Sequence, residues 1–336
     1  MSQGQSLSRT HGLYLGKFAP LHIGHEYVIR EALRQVDFLS VLIYEAPDLT
    51  SISLSKRADW IRELDSNIEV IECLNGPTDV TYEPSGMRAH EEYVVSKLGD
   101  RKVTHFFSSE PYGEHMSQAL GALDIRIDQA RKTHPVSATK VRNDLYENRK
   151  SLSPRVYFDH VTKVVLVGAP STGKSTLTEV LAREFGTTFM PEYGREYWES
   201  HNIERRLTQE QLVEIAEEHR RRELSNAHDA REYFFIDTNA ITTQIFSQYY
   251  HNQSDPRLVR LSEECVNRYD IVLLCDDDIP YADTEDRSGE GNRELFQRLT
   301  IQELNNRGID YHVISGSISE RVATVKKILK TWRESK

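Results

Sequence analysis

The sequence is short of the groups that would place it outside a reducing, aqueous setting. Its 336 residues include only three cysteines, Cys73, Cys265 and Cys275, with no CxxC pair and no metal-ligand spacing. A disulfide framework and a cysteine-ligated metal are therefore not expected, and the three thiols read as core residues of a reducing compartment. No apolar run approaches the ~20 residues that a membrane span needs. The opening segment Met1–Thr10 is polar and has no signal-peptide core. The expectation is a cytoplasmic protein with no membrane partner. Positive charge is also in deficit. Lys and Arg number 42 against 52 Asp and Glu, a formal net charge of −10. That argues against a broad basic surface for nucleic acid, and no nucleic-acid partner is expected. It does not argue against small phosphate ligands, which need only a loop of amides and a few cations.

What is present is a strand–helix alternation, met twice. Leu13–Leu15, Phe38–Tyr44, Ile68–Cys73 and Val103–Phe107 read as strands, with a helical pattern after Pro20-Leu21-His22. The pattern lapses around Asn148–Pro154 and restarts at Val161–Val167, Thr187–Met190, Tyr233–Ile236 and Ile271–Cys275. Helices are expected from Ser175 to about Phe185 and over Thr208–Leu224, the latter opened by Thr208 and Gln211 in capping-box spacing. The fold class is thus α/β, two domains at 1–153 and 154–336, each an open parallel sheet. There is no repeat and no low-complexity tract.

The first chemical constellation is Gly16-Lys17-Phe18-Ala19-Pro20-Leu21-His22-Ile23-Gly24-His25, between a strand and a helix. In a parallel sheet that junction lies at the carboxyl edge, where ligands bind. The helix start supplies orphan N–H groups suited to phosphate. Gly24 permits close backbone approach, and two imidazoles three residues apart can serve one phosphate chain. A bare HxxH is more often structural, but the flanking Gly, Phe, Pro and Gly complete a string that resembles the GxFxPxHxGH signature of the nucleotidyltransferase superfamily. That family transfers a nucleotidyl group without a covalent enzyme intermediate. Its second motif, ISSTxxR, is matched by Val136-Ser137-Ala138-Thr139-Lys140-Val141-Arg142, with Ala138 in place of a serine. Read alone, that segment is a helix N-cap followed by solvated basic residues. The resemblance implies a Rossmann-like domain that binds ATP through Gly16, Phe18, Gly24, Ser137 and Thr139. His22, His25, Lys17 and Arg142 are the catalytic set. The work expected of them is positioning and charge neutralisation.

The second constellation, Gly168-Ala169-Pro170-Ser171-Thr172-Gly173-Lys174-Ser175-Thr176, fits the P-loop GxxxxGK[ST] directly after an apolar strand. Gly168, Ser171, Thr172, Gly173, Lys174, Ser175 and Thr176 are the expected ATP contacts, with Lys174 on the β/γ oxygens and Ser175 on magnesium. No guanine-reading NKxD occurs. Beyond the loop, Glu192 is a candidate general base or ribose anchor, and Tyr193 and Arg195 are candidate acceptor contacts. The neighbouring Tyr197 and Trp198 read equally as helix packing. Asp237 ends an apolar strand and could hold magnesium through water or contact the acceptor ribose. Asp283–Arg293, with Arg287 and Arg293, has the composition of a lid over the phosphoryl group or of a plain solvent loop. Glu217–Arg222 reads as a solvated helix face.

Together and in this order the motifs resemble the NadR-type fusion of a nicotinamide mononucleotide (NMN) adenylyltransferase with a ribosylnicotinamide kinase. Phe107-Ser108-Ser109-Glu110, Pro191-Glu192-Tyr193-Gly194-Arg195, Ile236-Asp237-Thr238-Asn239 and Asp278-Ile279-Pro280-Tyr281 add to that likeness, which covers nearly the whole chain. It implies ATP and magnesium as co-substrate and cofactor, nicotinamide riboside and NMN as acceptors, and NAD as product. Trp60 is a candidate to stack on nicotinamide, or a buried helix-face residue. Only about a dozen residues precede the first strand, so the helix-turn-helix repressor module of some family members is expected to be absent, and DNA binding with it. Other acceptors for the same two chemistries, and a nucleotide-sensing regulator, stay open at this level. So does homo-oligomerisation.

Overall fold

The computed structural model describes residues 9–77, 83–109, 113–201, 207–280 and 290–335. It divides into two compact units, Met1–Asp159 and His160–Lys336.

In the first unit the order is β1 (His11–Gly16), α1 (Ile23–Leu33), β2 (Phe38–Tyr44), α2 (Leu54–Arg62), β3 (Ile68–Cys73), α3 (Pro84–Leu98), β4 (His105–Ser108), α4 (Gly113–Leu120), β5 (Leu123–Arg126), α5 (Ala138–Asn143) and α6 (Pro154–His160). The five strands form one parallel sheet in the order β3-β2-β1-β4-β5. β2 is FLSVLIY and is buried along nearly all its length, as a strand covered on both faces must be. Leu13, Leu42, Tyr44, Val94, Leu98, Phe106 and Met116 form the core between the sheet and the α3/α4 layer. The domain limit expected at 153/154 falls at the start of α6, and the side chain of Asp159 in that helix accepts from the Trp60 indole at 2.8 Å and from Arg155 at 2.7 Å.

In the second unit the order is β6 (Thr162–Val167), α7 (Lys174–Glu184), β7 (Phe189–Met190), α8 (Tyr193–His201), α9 (Gln209–Ala227), β8 (Tyr233–Asp237), α10 (Ala240–His251), α11 (Pro256–Glu264), β9 (Ile271–Cys275), α12 (Glu290–Asn306), β10 (His312–Ile314) and α13 (Ile318–Glu334). These strands also form one parallel sheet, β10-β9-β6-β8-β7. One face packs on α7 and α13 through Leu177, Leu181, Val325 and Leu329. α9 begins at the expected capping box: the Gln211 amide donates to Thr208 Oγ1 at 3.2 Å, and the Thr208 amide donates to Gln211 Oε1 at 2.8 Å. All three cysteines are buried and free. Among the described residues no helix is long and apolar enough to cross a membrane.

Two candidate active sites

Both sites grow from the carboxyl end of the central strand of a sheet. In the first unit β1 ends at Gly16, and the chain turns at Phe18, which sits at φ 45° with its ring 1 % exposed. The Phe18 ring lies edge-on to His25 at 5.0 Å and to Tyr14 at 5.5 Å. It thus anchors the loop to the core, with Leu21 buried behind it. Arg57, 2 % exposed, donates to the Lys17 carbonyl, to the Tyr44 carbonyl at 3.0 Å and to the Ile52 carbonyl at 3.2 Å. One buried guanidinium therefore fixes the loop that carries Lys17.

His22 is the N-cap of α1. The His25 amide donates to His22 Nδ1 at 3.3 Å, and the His22 amide donates to His25 Nδ1 at 3.4 Å. The two rings stack at 3.7 Å. Because both Nδ1 atoms accept, the neutral rings carry their protons on Nε2, leaving two N–H donors side by side. Burial lowers the His22 pKa to about 4, with Arg131 and His134 adding to the effect. Burial, then His22 and Arg131, push His25 well down as well. At neutral pH these imidazoles are uncharged donors. Gly24 packs closely on the site: a Cβ there would lie 3.1 Å from the His22 ring and 3.3 Å from Val136 Cγ1, so a side chain would press on the imidazole pair.

The second motif folds onto the first. Arg142 donates to the Ala19 carbonyl at 2.6 Å and to Thr139 Oγ1 at 3.2 Å. Ser137 caps α5 by accepting from the Lys140 amide at 3.2 Å. Gly16, Lys17, Phe18, His22, Gly24, His25, Ser137, Thr139 and Arg142 are therefore one constellation. Sequence reading missed Arg131 and His134. They sit on a turn organised by Asp128, whose carboxylate accepts from the Lys132 amide at 2.8 Å and from those of Thr133 and His134 at 3.2 Å. The run Arg131-Lys132-Thr133-His134 just ahead of the second motif was the available signal. Trp60 lies elsewhere, 2 % exposed on α2 with its indole N–H bound to Asp159.

In the second unit the P-loop wraps the start of α7. Gly168 has φ 138°, and a Cβ there would meet the Cys275 carbonyl oxygen at 2.7 Å. Lys174 Nζ donates back across the loop to the Gly168 carbonyl at 3.0 Å and the Ala169 carbonyl at 2.8 Å. Two residues that no local pattern flagged brace the loop. Gln297 accepts from the Ala169 amide at 2.8 Å and donates to the Cys275 carbonyl at 3.0 Å. Arg321, 2 % exposed, donates to the Thr172 carbonyl at 2.7 Å and the Gly316 carbonyl at 2.9 Å and pairs with Asp278.

Asp237 ends β8 in register with Leu166 of β6, beside the loop. It is 1 % exposed, and neither carboxylate oxygen has a hydrogen-bond partner. Burial pushes its carboxyl up and the negative Glu192 adds to this, while the nearby Lys174 opposes it. A buried, unsatisfied carboxylate next to a P-loop serine suits a hard cation that takes one or two protein oxygens and keeps the rest of its shell for phosphate and water. Among the described residues there is no group of three or more His, Cys, Asp or Glu side chains that could hold a metal alone. Ser175 and Asp237 are the residues here whose chemistry fits a magnesium ion.

A cavity of about 530 Å³ opens from the P-loop. Glu192, Gly194, Arg195 and Trp198 line it on one side, and Thr238, Thr242, Phe246, Tyr249 and Tyr250 on another. Glu192 pairs with Arg195 at 3.5 Å. Tyr193 is placed differently, under the Arg222 guanidinium at 4.0 Å and edge-on to Tyr197 at 5.9 Å. Within Glu217–Arg222, Glu218 and Arg221 form the surface ion pair expected of a solvated face. His219 departs from it: it is 6 % exposed, lines the cavity and approaches the buried Glu223 at 3.4 Å. Arg293, 6 % exposed, donates to the Ile279 carbonyl at 2.8 Å, and its Nε and Nη2 have no partner. Arg287 lies outside the described residues, as do Glu110 and Tyr281.

Residues 13–144 match the cytidylyltransferase-like family model and residues 163–321 match an AAA domain model. The trifunctional NAD biosynthesis/regulator protein NadR of Salmonella typhimurium LT2 is 27% identical over 341 residues, covering 95% of this chain and 82% of that protein. Its counterpart from Escherichia coli K12 is 27% identical over 324 residues, covering 90% and 78%. Two crystal structures share the fold at 21% identity. A NadR protein in complex with NR has a TM-score of 0.54 and coverage of 92% of this chain and 90% of that one. A NadR protein with NAD and AMP-PNP has a TM-score of 0.55 and coverage of 96% of each.

Proposed function

Because the chain is homologous to the NadR proteins along nearly its whole length, we propose that it makes NAD from nicotinamide riboside in two ATP-using steps. The second unit transfers the γ-phosphoryl group of ATP to the riboside's 5′-hydroxyl, giving NMN. The first unit joins NMN to the AMP moiety of a second ATP, releasing pyrophosphate. What supports this most is that one chain carries both loops, the stacked His22–His25 pair after β1 and the Lys174 loop after β6.

In the first unit the NMN phosphate attacks the α-phosphorus and pyrophosphate leaves. No proton need move, so the protein's task is alignment and charge. The Nε2–H groups of His22 and His25 donate to the triphosphate. Lys17, Arg142 and Arg131 neutralise charge as it gathers on the leaving group, and Ser137 and Thr139 hold β/γ oxygens. The reading gives Trp60 a packing role in place of the nicotinamide contact.

In the second unit the loop amides and Lys174 hold the β- and γ-phosphates. Magnesium held by Ser175 and Asp237 would supply charge neutralisation between those phosphates. Glu192, on the cavity wall, takes the acceptor hydroxyl's proton, and Arg195 holds Glu192 in place. Arg293 offers its two unpaired donors to the phosphoryl group. No nucleic acid takes part, and both reactions run in the cytoplasm.

The test is product analysis by mass, with purified protein, ATP, magnesium and either nicotinamide riboside or NMN. NAD from both substrates, with NMN appearing first from the riboside, is the expected result. NAD from NMN alone would remove the riboside as the second unit's acceptor. No product from either would remove the NAD assignment.

A further inference from the structure

We propose that Gln297 is a positioning residue of the phosphate loop, tied through helix α12 to the aromatic wall of the cavity. Acceptor and nucleotide then bind cooperatively; this rests on the kinase reading of the second unit. Gln297 is buried at 6 % exposure and joins two segments of the nucleotide side. Its Oε1 accepts from the Ala169 amide at 2.8 Å, and its Nε2 donates to the Cys275 carbonyl at 3.0 Å. The loop begins against that carbonyl, which lies 2.7 Å from where a Cβ of Gly168 would stand. One turn earlier on the same face, Arg293 donates to the Ile279 carbonyl at 2.8 Å. Ile279 in turn packs toward Gly173, its Cδ1 lying 3.2 Å from where a Cβ would stand there. This face of α12 therefore supports the loop at both its first and its last glycine.

The adjoining face of α12 meets the cavity wall. Consecutive helical residues project about 100° apart, so Asn292 and Phe296 form a stripe beside that of Arg293 and Gln297. Asn292 Oδ1 accepts from the Tyr249 hydroxyl at 3.2 Å. The buried Phe296 ring packs on Tyr249 at 4.9 Å and on Phe246 at 4.7 Å. Phe246 and Tyr249 are half-buried and line the cavity. Just past the far end of α12, Arg307 donates to Gln244 Oε1 of α10 at 2.8 Å and to Ser262 Oγ of α11 at 3.2 Å. α10 and α12 are fastened by a hydrogen bond toward each end and by packed rings between.

Close-packed interiors transmit strain instead of absorbing it. An acceptor seated against Phe246 and Tyr249 steadies α10 and, through Phe296 and Asn292, α12. Gln297 follows Phe296 directly, so the start of the phosphate loop is steadied with them. Nucleotide on the loop acts back along the same contacts. The two ligands share one ordering cost, and the second to bind meets a site already ordered. Such a coupling works equally in both directions.

The experiment measures the Kd of a non-hydrolysable ATP analogue with magnesium, with and without saturating nicotinamide riboside, and the Kd of the riboside with and without the analogue. In wild type each ligand should tighten the other by about 10-fold, within the usual span for coupled sites. Tyr249→Phe keeps the ring and loses only the bond to Asn292. It should cut the coupling to about threefold or less and leave the affinity for the analogue alone within about twofold, a split that general loosening of the fold would not give. Gln297→Met, on the opposite side of the link, should cut the coupling as far, and the double variant should cut it no further. Wild-type coupling in both single variants would overturn the proposal, as would a wild type that binds both ligands without coupling. A Tyr249→Phe protein that loses riboside affinity but keeps the coupling would make Tyr249 an acceptor contact only and would overturn it too. A wild type that binds the analogue and no riboside would overturn the kinase reading and the coupling with it.

Discussion

The two units carry the same kind of parallel sheet and offer phosphate chemistry at the same place, but with different materials. After β1 the groups on offer are side chains: a stacked, uncharged imidazole pair, Lys17 and Arg142. After β6 they are mostly backbone amides, shaped by Gly168 and Gly173 at positive φ and supplemented by Lys174. Both loops are braced from behind by a buried arginine that donates to loop carbonyls, Arg57 in one unit and Arg321 in the other. The lesson is that a parallel sheet edge supplies the place, and the loop decides whether polarity comes from side chains or from the main chain. The units also store opposite electrostatic tension. The first buries bases that resist protonation, and the second buries an acid that resists ionisation.

The sharpest way to break this contrast is Asp237→Asn. Riboside phosphorylation should fall about 1,000-fold, the scale of removing a preorganised charge from a phosphoryl-transfer site. NAD formation from NMN should be unchanged. The same variant should raise the unit's melting temperature, because an amide costs less to bury than an unpaired carboxylate. Since the folded carboxyl titrates above its unfolded value, its ionisation works against the fold as pH rises. The advantage of Asp237→Asn over wild type should therefore widen with pH; an advantage that shrinks would contradict the assignment.

The first unit should respond in the other direction. His22 titrates at about 4 in the fold against an ordinary value of 6.5. The unfolded chain takes up the proton first, so stability is complete above the ordinary value and is lost as pH falls toward the folded one. Relative to His22→Asn, wild type should lose up to about 3 kcal/mol over that window. Chemical denaturation at a series of pH values measures it, and a flat difference would mean the ring is not buried neutral.

Smaller effects test the braces and the tryptophan. Arg321→Met and Arg57→Met should each destabilise their own unit by roughly 2–3 kcal/mol, since each leaves several buried carbonyls without a donor. Loss of riboside phosphorylation should accompany only the first, and loss of adenylyl transfer only the second. Trp60→Phe should cost about 1 kcal/mol through the lost bond to Asp159 and leave the KM for NMN within about twofold. A large rise in that KM would return Trp60 to the nicotinamide site.

What was legible in the sequence follows from how far each contact reaches along the chain. The two loops are contiguous strings after dense apolar strands, so their identity, their place at a sheet edge and even the Thr208–Gln211 capping box could be read directly. The braces could not. Arg57 acts on a carbonyl 40 residues away, Gln297 on an amide 128 away and Arg321 on a carbonyl 149 away. β5 and β10 went unread because LDIR and HVI are short edge strands with too few buried positions to show a period. His219 continues the buried stripe Leu212, Ile215, Ala216 and Glu223 of its helix, but it and Glu223 are polar and stand in a charged run, so hydrophobicity alone did not mark the stripe there.

Two independent sites acting in series can be separated by following the intermediate. Lys174→Ala and His22→Ala proteins would each be given ATP, magnesium and nicotinamide riboside, with NMN and NAD followed by mass. Lys174→Ala should yield neither product from the riboside but make NAD when NMN is supplied, and His22→Ala should convert the riboside to NMN and stop there. Loss of both activities in either folded variant would contradict two independent sites.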